Sequence, residues 1–203
     1  MAVHSTAKKR GGPDKRDRIL KAAVRVFAKN GFYATRVSEI AKAAGVADGT
    51  IYLYFKNKDD VLITIFEDGI QQLLAILREV AAAEEPFEAR IKRIIELQLG
   101  LLEDQRDLAE VITVNLRQSS TLLKQYAAPL FMEYIDVIAG LIREGQKQGA
   151  FRKDVNARVA ARSLFGALDA ILLTWALGEA DPASLRKAAS HCASLFLDGL
   201  QTH

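Results

Sequence analysis

The sequence predicts an all-α protein, and three observations carry the prediction. Apolar residues recur at three- and four-residue spacing along the segments between Asp14 and Leu200, helix caps and breakers stand between those segments, and strand-like alternation is absent. Residues 1–13, MAVHSTAKKRGGP, lack that periodicity and place Lys8, Lys9 and Arg10 before a Gly-Gly-Pro breaker, so they read as a mobile basic arm. From Asp14 to Asn30, the residues Ile19, Leu20, Ala23, Val24 and Phe27 mark one face of a first helix, with Asp14 suited to its N-cap and Gly31 to its C-terminal stop. Thr35 is the candidate N-cap of a second helix with Val37, Ile40, Ala41 and Ala44 on its inner face. Gly45 breaks that helix, and Ile51 and Phe55 face inward beyond it.

Asn57, followed three residues later by Asp60, opens a long helix over about 58–82. Pro86 opens another to about 102, a helix or helices cover about 107–148, and Gly149 to Asp154 form a turn. Helices over about 155–177 and 182–200 follow, separated by Gly178 to Pro182. The chain of 203 residues divides into the arm 1–13, a smaller helical module 14–57 and a larger helical module 58–203.

Charge supports that division. Residues 1–60 hold 13 Lys and Arg against 6 Asp and Glu, a surplus of seven, whereas the remainder holds 15 against 19. The first third is built to meet a polyanion and the rest is not. No run of about 18 apolar residues appears and the N-terminus is polar, which implies a cytoplasmic protein with no membrane partner. With one cysteine, Cys192, and three histidines, His4, His191 and His203, there is no ligand cluster for a metal. Neighbours such as His191 and Cys192 point about 100° apart on a helix.

The segment from Val37 to Tyr54 meets the demands of a helix-turn-helix. Such a motif needs a small residue where two helices cross, a glycine able to take positive φ at the turn, and an apolar residue that docks the second helix. Ala41, Gly45 and Ile51 supply these in order, and Val46 fills the same small core. The outer face from Asp48 to Tyr54 is then free to enter a major groove. It offers the hydroxyls of Thr50, Tyr52 and Tyr54, with Lys56 and Lys58 where the next helix begins, and these are groups that hold phosphates and set register.

The stretch GFYATRVSEIAKAAGVADGTIYLYFKNKDDVL, residues 31–62, resembles the signature of the TetR family of repressors, and the similarity extends back to about Asp17. The resemblance implies a homodimer on palindromic double-stranded operator DNA, with a small-molecule effector bound in the C-terminal domain. The DNA-facing candidates are Thr35, Arg36, Asp48, Gly49, Thr50, Tyr52, Tyr54, Lys56 and Lys58. Where many members carry a serine or threonine cap this chain has Ala47, so either Asp48 caps the recognition helix or its backbone amides are left free for a phosphate. Ala47, Gly49 and Leu53 cannot hydrogen-bond a base edge through their side chains.

The stretches VNLRQSS, residues 114–120, and LFGALDAILLTWALGEAD, residues 164–181, resemble the FadR-type fatty-acid-degradation repressors of that family found in bacilli and Thermus. The resemblance implies long-chain acyl-CoA as effector, no cofactor and control of fatty acid degradation genes. A thioester with a long tail needs an apolar tunnel and cations near the nucleotide. The candidates are Arg117, Gln118, Phe131, Tyr134, Phe165, Asp169 and Trp175. Each has a structural reading beside the ligand one: salt-bridge partner for Arg117, satisfied buried carboxylate for Asp169, core or interface for the aromatics. Val155, Val159, Leu164, Leu168, Leu172 and Trp175 on one terminal helix, with Leu185, Ala188, Cys192, Leu195 and Phe196 on the other, form apolar stripes suited to a twofold four-helix bundle.

Two other classes are disfavoured. No nucleophile elbow, Gly-rich phosphate loop or histidine cluster supports an enzyme. A sequence-tolerant architectural DNA binder has no use for the large apolar remainder. Within repressors, the alternative is a multidrug-type sensor of another hydrophobic compound, for which Glu103, Asp104 and Glu110 offer charge.

Overall fold

The computed structural model describes residues 15–118, 122–178 and 181–201, so the basic arm and the Asp14 cap lie outside the described residues. Among the described residues there are nine α-helices, and the sole β feature is an isolated bridge between Phe151 and Gln201. Helix α1 (Lys15–Asn30) buries Ile19, Ala22, Ala23 and Phe27 and stops at Gly31, whose φ of +75° is one that side chains rarely tolerate. Helix α2 (Val37–Ala44) packs across α1 and ends at Gly45, φ +65°. There the Val46 N–H returns to Ala41 O at 3.0 Å and the Gly45 N–H to Lys42 O at 3.2 Å. The Arg18 guanidinium reaches over from α1 to donate to Ala44 O at 2.7 Å, fixing the same helix end.

Two local expectations are corrected here. Thr35 does not cap α2: Arg36 takes the cap position and its N–H donates to Glu39 Oε2 at 2.7 Å, while the Thr35 hydroxyl turns inward to Gly31 O at 2.8 Å. The recognition helix α3 is only Asp48–Ile51, not a helical face reaching Tyr54. It tightens into turns because Phe55, only 3 % exposed, must swing into the core directly after it, with Phe55 N–H on Ile51 O at 2.9 Å.

Helix α4 (Lys58–Ala82) starts on the expected cap: Asn57 Oδ1 accepts the Asp60 N–H and Asp60 Oδ2 accepts the Lys56 N–H, both at 2.8 Å. It buries Phe66, Ile70, Leu74 and Leu77, and so runs from the helix-turn-helix into the second module. Helices α5 (Phe87–Gly100) and α6 (Arg106–Glu110) follow. Then the chain departs from α geometry, with π-helical turns over Val111–Asn115 and Leu123–Ala127 and a 3₁₀ turn over Leu116–Gln118. Val111, Ile112, Thr113 and Val114 are four β-branched residues in a row, whose side chains crowd the preceding turn of an α-helix.

Helices α7 (Ala128–Gln148), α8 (Ala157–Leu177) and α9 (Pro182–Leu200) complete the fold; α7 packs on α8, and α9 on α5. Asn156 caps α8 by accepting the Arg158 and Val159 N–H groups, and Asp181 caps α9 by accepting that of Ala183. By length and composition α8 alone among the described residues is apolar enough to cross a membrane, at mean hydropathy 1.4, and its Leu164, Leu168, Leu172 and Trp175 lie in the protein core. That placement divides the stripe expected to face a second copy: those four residues and Leu185 are buried within this chain, whereas Val155, Val159, Ala188, Cys192, Leu195 and Phe196 are half-buried or exposed. The large apolar side chains that α8 and α9 leave exposed are Val159, Leu177 and Leu195, with Leu195 78 % exposed. Helical periodicity finds an apolar face but does not say which neighbour covers it.

Candidate functional site

The first candidate surface is the outer side of α2, α3 and the turn after it. Arg36, Asp48, Gly49, Tyr52, Tyr54 and Lys56 are exposed and Thr50 is half-buried, so the structure brings these predicted residues onto one accessible side of a small buried core. Leu53, between Tyr52 and Tyr54 in the chain, is 80 % exposed. Ala47 stands at the N-cap of α3 with no side-chain hydrogen bond, so no side chain caps the amides there. Thr35, 2 % exposed, and Lys58 make contacts within the protein. The Lys58 ammonium donates to Phe32 O at 2.7 Å, Thr35 O at 2.9 Å and Tyr33 O at 3.1 Å, and lies 4.6 Å from the Phe32 ring centre. Lys58 thereby clamps the α1–α2 turn to the start of α4.

The second candidate site is an apolar cavity of about 170 Å³ in the C-terminal module. Helix α4 brings Phe66, Ile70 and Leu73 to it, α5 brings Gln98, the irregular stretch brings Ile112, Thr113 and Arg117, and α7 and α8 bring Phe131, Phe165, Asp169 and Leu172. One wall is a chain of rings with centres 5.4 Å apart for Phe66–Phe131 and 5.2 Å for Phe131–Phe165, continuing behind the wall to Tyr134 at 5.3 Å from Phe165. Arg117 Nη2 meets Asp169 Oδ1 at 2.5 Å, both partly exposed, which ties the irregular stretch to α8.

Four of the seven ligand candidates therefore share this cavity: Arg117, Phe131, Phe165 and Asp169. Tyr134 is fully buried behind the wall, where burial pushes its phenol pKa above the ordinary value and keeps the hydroxyl a neutral donor, 2.6 Å from Gln98 Oε1. Trp175 does not line the cavity; its indole N–H donates to Asp181 O at 3.3 Å beside the α8–α9 turn. The side chain of Gln118 lies outside the described residues. Missing from the sequence-based set are Gln98, Thr113 and the α4 residues. Gln98 had a usable signal, since it sits on the buried stripe of Ile91, Ile94, Ile95 and Leu99, where a polar residue is out of place.

The two sites are joined by a buried contact. The Phe32 N–H, in the turn after α1, donates to Asn115 Oδ1 at 2.7 Å. Asn115 is 2 % exposed and lies on the same short stretch as Ile112, Thr113 and Arg117 of the cavity wall. Among the described residues no group of three or more His, Cys, Asp and Glu is placed to hold a metal ion.

A short helix set across a second over a glycine turn, a long connecting helix and an apolar cavity beneath it define a DNA-binding regulator of one-component type. The chain belongs to the TetR family of bacterial regulatory proteins: residues 19–65 match that family's N-terminal region, and residues 66–199 match the C-terminal region of YsiA-like proteins. It is 36 % identical over 161 residues to the fatty acid metabolism regulator protein of Bacillus subtilis, covering 79 % of this chain and 83 % of that one. The fatty acid degradation regulator FadR of Bacillus halodurans superimposes with a TM-score of 0.85 at 34 % identity, over 96 % of this chain and 100 % of that one. FadR from Bacillus subtilis, solved in complex with stearoyl-CoA, does so at 0.81 and 33 % identity, over 92 % of this chain and 99 % of that one.

Proposed function

We propose that this protein is a homodimeric cytoplasmic repressor of fatty acid degradation genes that releases its palindromic operator when a long-chain acyl-CoA enters the α4–α8 cavity, and that it catalyses no reaction. The observation that carries the ligand is the cavity itself: aromatic and aliphatic walls with one charged pair at the edge, in a chain similar along nearly its whole length to a regulator solved with stearoyl-CoA. The multidrug-type alternative loses its acidic groups, because Glu103 pairs with Arg186 at 2.8 Å and none of Glu103, Asp104 and Glu110 lines the cavity.

The DNA contacts fall to Arg36, Thr50, Tyr52, Tyr54 and Lys56, with the backbone at Asp48 and Gly49 presenting amides to a phosphate and Leu53 meeting a thymine methyl. The functional division follows residues 14–57 for DNA and 58–203 for ligand and dimer. A second copy covers the outer faces of α8 and α9, around Val159, Leu177 and Leu195.

At about 170 Å³ the cavity is smaller than the roughly 300–1,000 Å³ usual for a ligand of this size, so the tail must widen it. The wall with least α-helical support is the stretch Val111–Gln118, and Asn115 on that stretch holds the Phe32 N–H. Displacing it pulls on the α1–α2 turn directly, while α4 transmits the same displacement through Lys58. Both routes end on one turn and respace the recognition helices of a dimer, whose separation must match about one turn of DNA, ~34 Å. Mass spectrometry of ligand released from purified, denatured protein, together with operator selection from random duplexes at fixed salt, tests the reading. A co-purifying long-chain acyl thioester and an enriched palindrome are expected; a planar cationic compound in its place would favour the multidrug alternative.

A further inference from the structure

Gln98 is 7 % exposed, sits on an otherwise apolar helix face and lines the cavity. Tyr134 is fully buried, and its hydroxyl hydrogen goes to Gln98 Oε1 at 2.6 Å. The fully buried phenol hydrogen has no other acceptor among the described residues, so the Gln98 oxygen faces Tyr134 and the NH2 group points the other way. Among the described residues Gln98 Nε2 donates no hydrogen bond, while the neighbouring Thr113 hydroxyl is already committed to Ala109 O at 2.7 Å and Gln105 Nε2 to Leu101 O at 2.8 Å. A donor oriented by a buried partner and left without a protein acceptor on the wall of an apolar cavity is available to an acceptor on the occupant.

Resting on the acyl-CoA reading of the cavity, we propose that the Gln98 amide donates to the carbonyl oxygen of the ligand's thioester, with Tyr134 as the residue that positions it. Within the saturated acyl part of the ligand the thioester carbonyl is the one acceptor, since everything beyond it is methylene; the pantetheine amides are common to thioester and thioether and so cancel in a comparison of the two. Arg117 and Asp169, lining the cavity and partly exposed, mark the side on which the pantetheine arm would leave for the nucleotide. The cavity would then select acyl thioesters over compounds of equal length and apolarity that lack the carbonyl, a selectivity that burial of methylenes alone cannot give.

Calorimetric titration of the full-length protein with stearoyl-CoA and with S-octadecyl-CoA, the thioether in which a CH2 replaces the carbonyl, tests this. The wild type should prefer the thioester by about tenfold, the change expected for one net hydrogen bond. Gln98→Met should abolish that preference while binding the thioether about as well as wild type does. Tyr134→Phe, which removes the orienting hydroxyl but leaves the amide in place, should reduce the preference; it also serves if Gln98→Met fails to fold. A thioester preference that survives in both variants, or an equal loss for both compounds, would overturn the proposal. If wild type binds neither compound, the acyl-CoA reading itself fails and this proposal falls with it.

Discussion

The helix-turn-helix and the cavity module bury comparable apolar side chains but are built to different standards of regularity. In the first, α1 and α2 stop at positive-φ glycines, α2 is held by the Arg18 guanidinium, α4 is fastened by the Asn57 and Asp60 side chains, and Lys58 closes the turn with three hydrogen bonds. In the second, the wall that faces the cavity changes from α to π to 3₁₀ geometry within Arg106–Gln118, and the space it encloses is too small for a long acyl chain. A reader of DNA must present fixed side chains to a groove of fixed shape. A sensor must instead hold two packings close in free energy, since a ligand acts only through its different affinity for the two.

Deleting one phenyl ring from each region should expose the difference most sharply. Phe27→Ala, in the fully buried helix-turn-helix core, should cost about 3–5 kcal/mol, whereas Phe165→Ala, whose ring already borders empty space, should cost about 1–2 kcal/mol. Thermal unfolding in the absence of ligand checks this, and similar losses at the two sites would break the contrast. A smaller effect is expected at Lys58. Lys58→Met removes charge-assisted bonds to three carbonyls and should destabilise the protein by about 2 kcal/mol, a fall of about 4–8 °C in Tm, while leaving the salt dependence of operator binding unchanged. A reduced salt slope with unchanged Tm would return Lys58 to the DNA interface.

Asn115→Leu leaves the Phe32 N–H without its partner and should cost about 1–3 kcal/mol of stability. Its more telling effect is functional: operator binding persists, but more acyl-CoA is needed for release, as a release assay on the purified variant would read. Release at wild-type ligand concentration would remove Asn115 from the coupling route. The smallest effect belongs to Lys56→Ala, which should leave Tm alone and lower the slope of log K against log salt by about one unit for the lost phosphate contact. An unchanged slope would take Lys56 off the DNA backbone.

The same contrast explains which parts of the molecule were legible in the sequence. Much of the helix-turn-helix could be read because its constraints are local: Gly45 for a left-handed turn, Ala41 for a close crossing, Asn57 with Asp60 for a cap three residues away; the cap of α2 and the end of α3 could not, since Thr35 turns inward and Phe55 pulls the chain into the core. Where a long-range partner decides, the local pattern was silent. Nothing near Lys58 in sequence announces that the α1–α2 turn, some 25 residues earlier, absorbs its charge. Likewise, the apolar stripe of Leu164, Leu168, Leu172 and Trp175 looks the same whether its own core or a second copy covers it. The cavity was half legible, since Arg117, Asp169, Phe131 and Phe165 meet there while Trp175 does not. Gln98 and Asn115 were overlooked because a single polar residue on an apolar face gains meaning only once its partner, Tyr134 or Phe32, is placed.

Titration of the complex between full-length protein and a selected palindromic duplex, followed by fluorescence anisotropy at fixed salt, puts the proposed link between cavity and DNA to trial. Weakening operator affinity a hundredfold requires about 2.7 kcal/mol of coupling, and each buried methylene contributes roughly 0.8 kcal/mol, so a long tail supplies it with a few carbons. Stearoyl-CoA should release the duplex, shorter acyl-CoA should do so progressively less well, and acetyl-CoA and free coenzyme A should leave the complex intact. A complex equally indifferent to stearoyl-CoA and acetyl-CoA would contradict the acyl-CoA assignment.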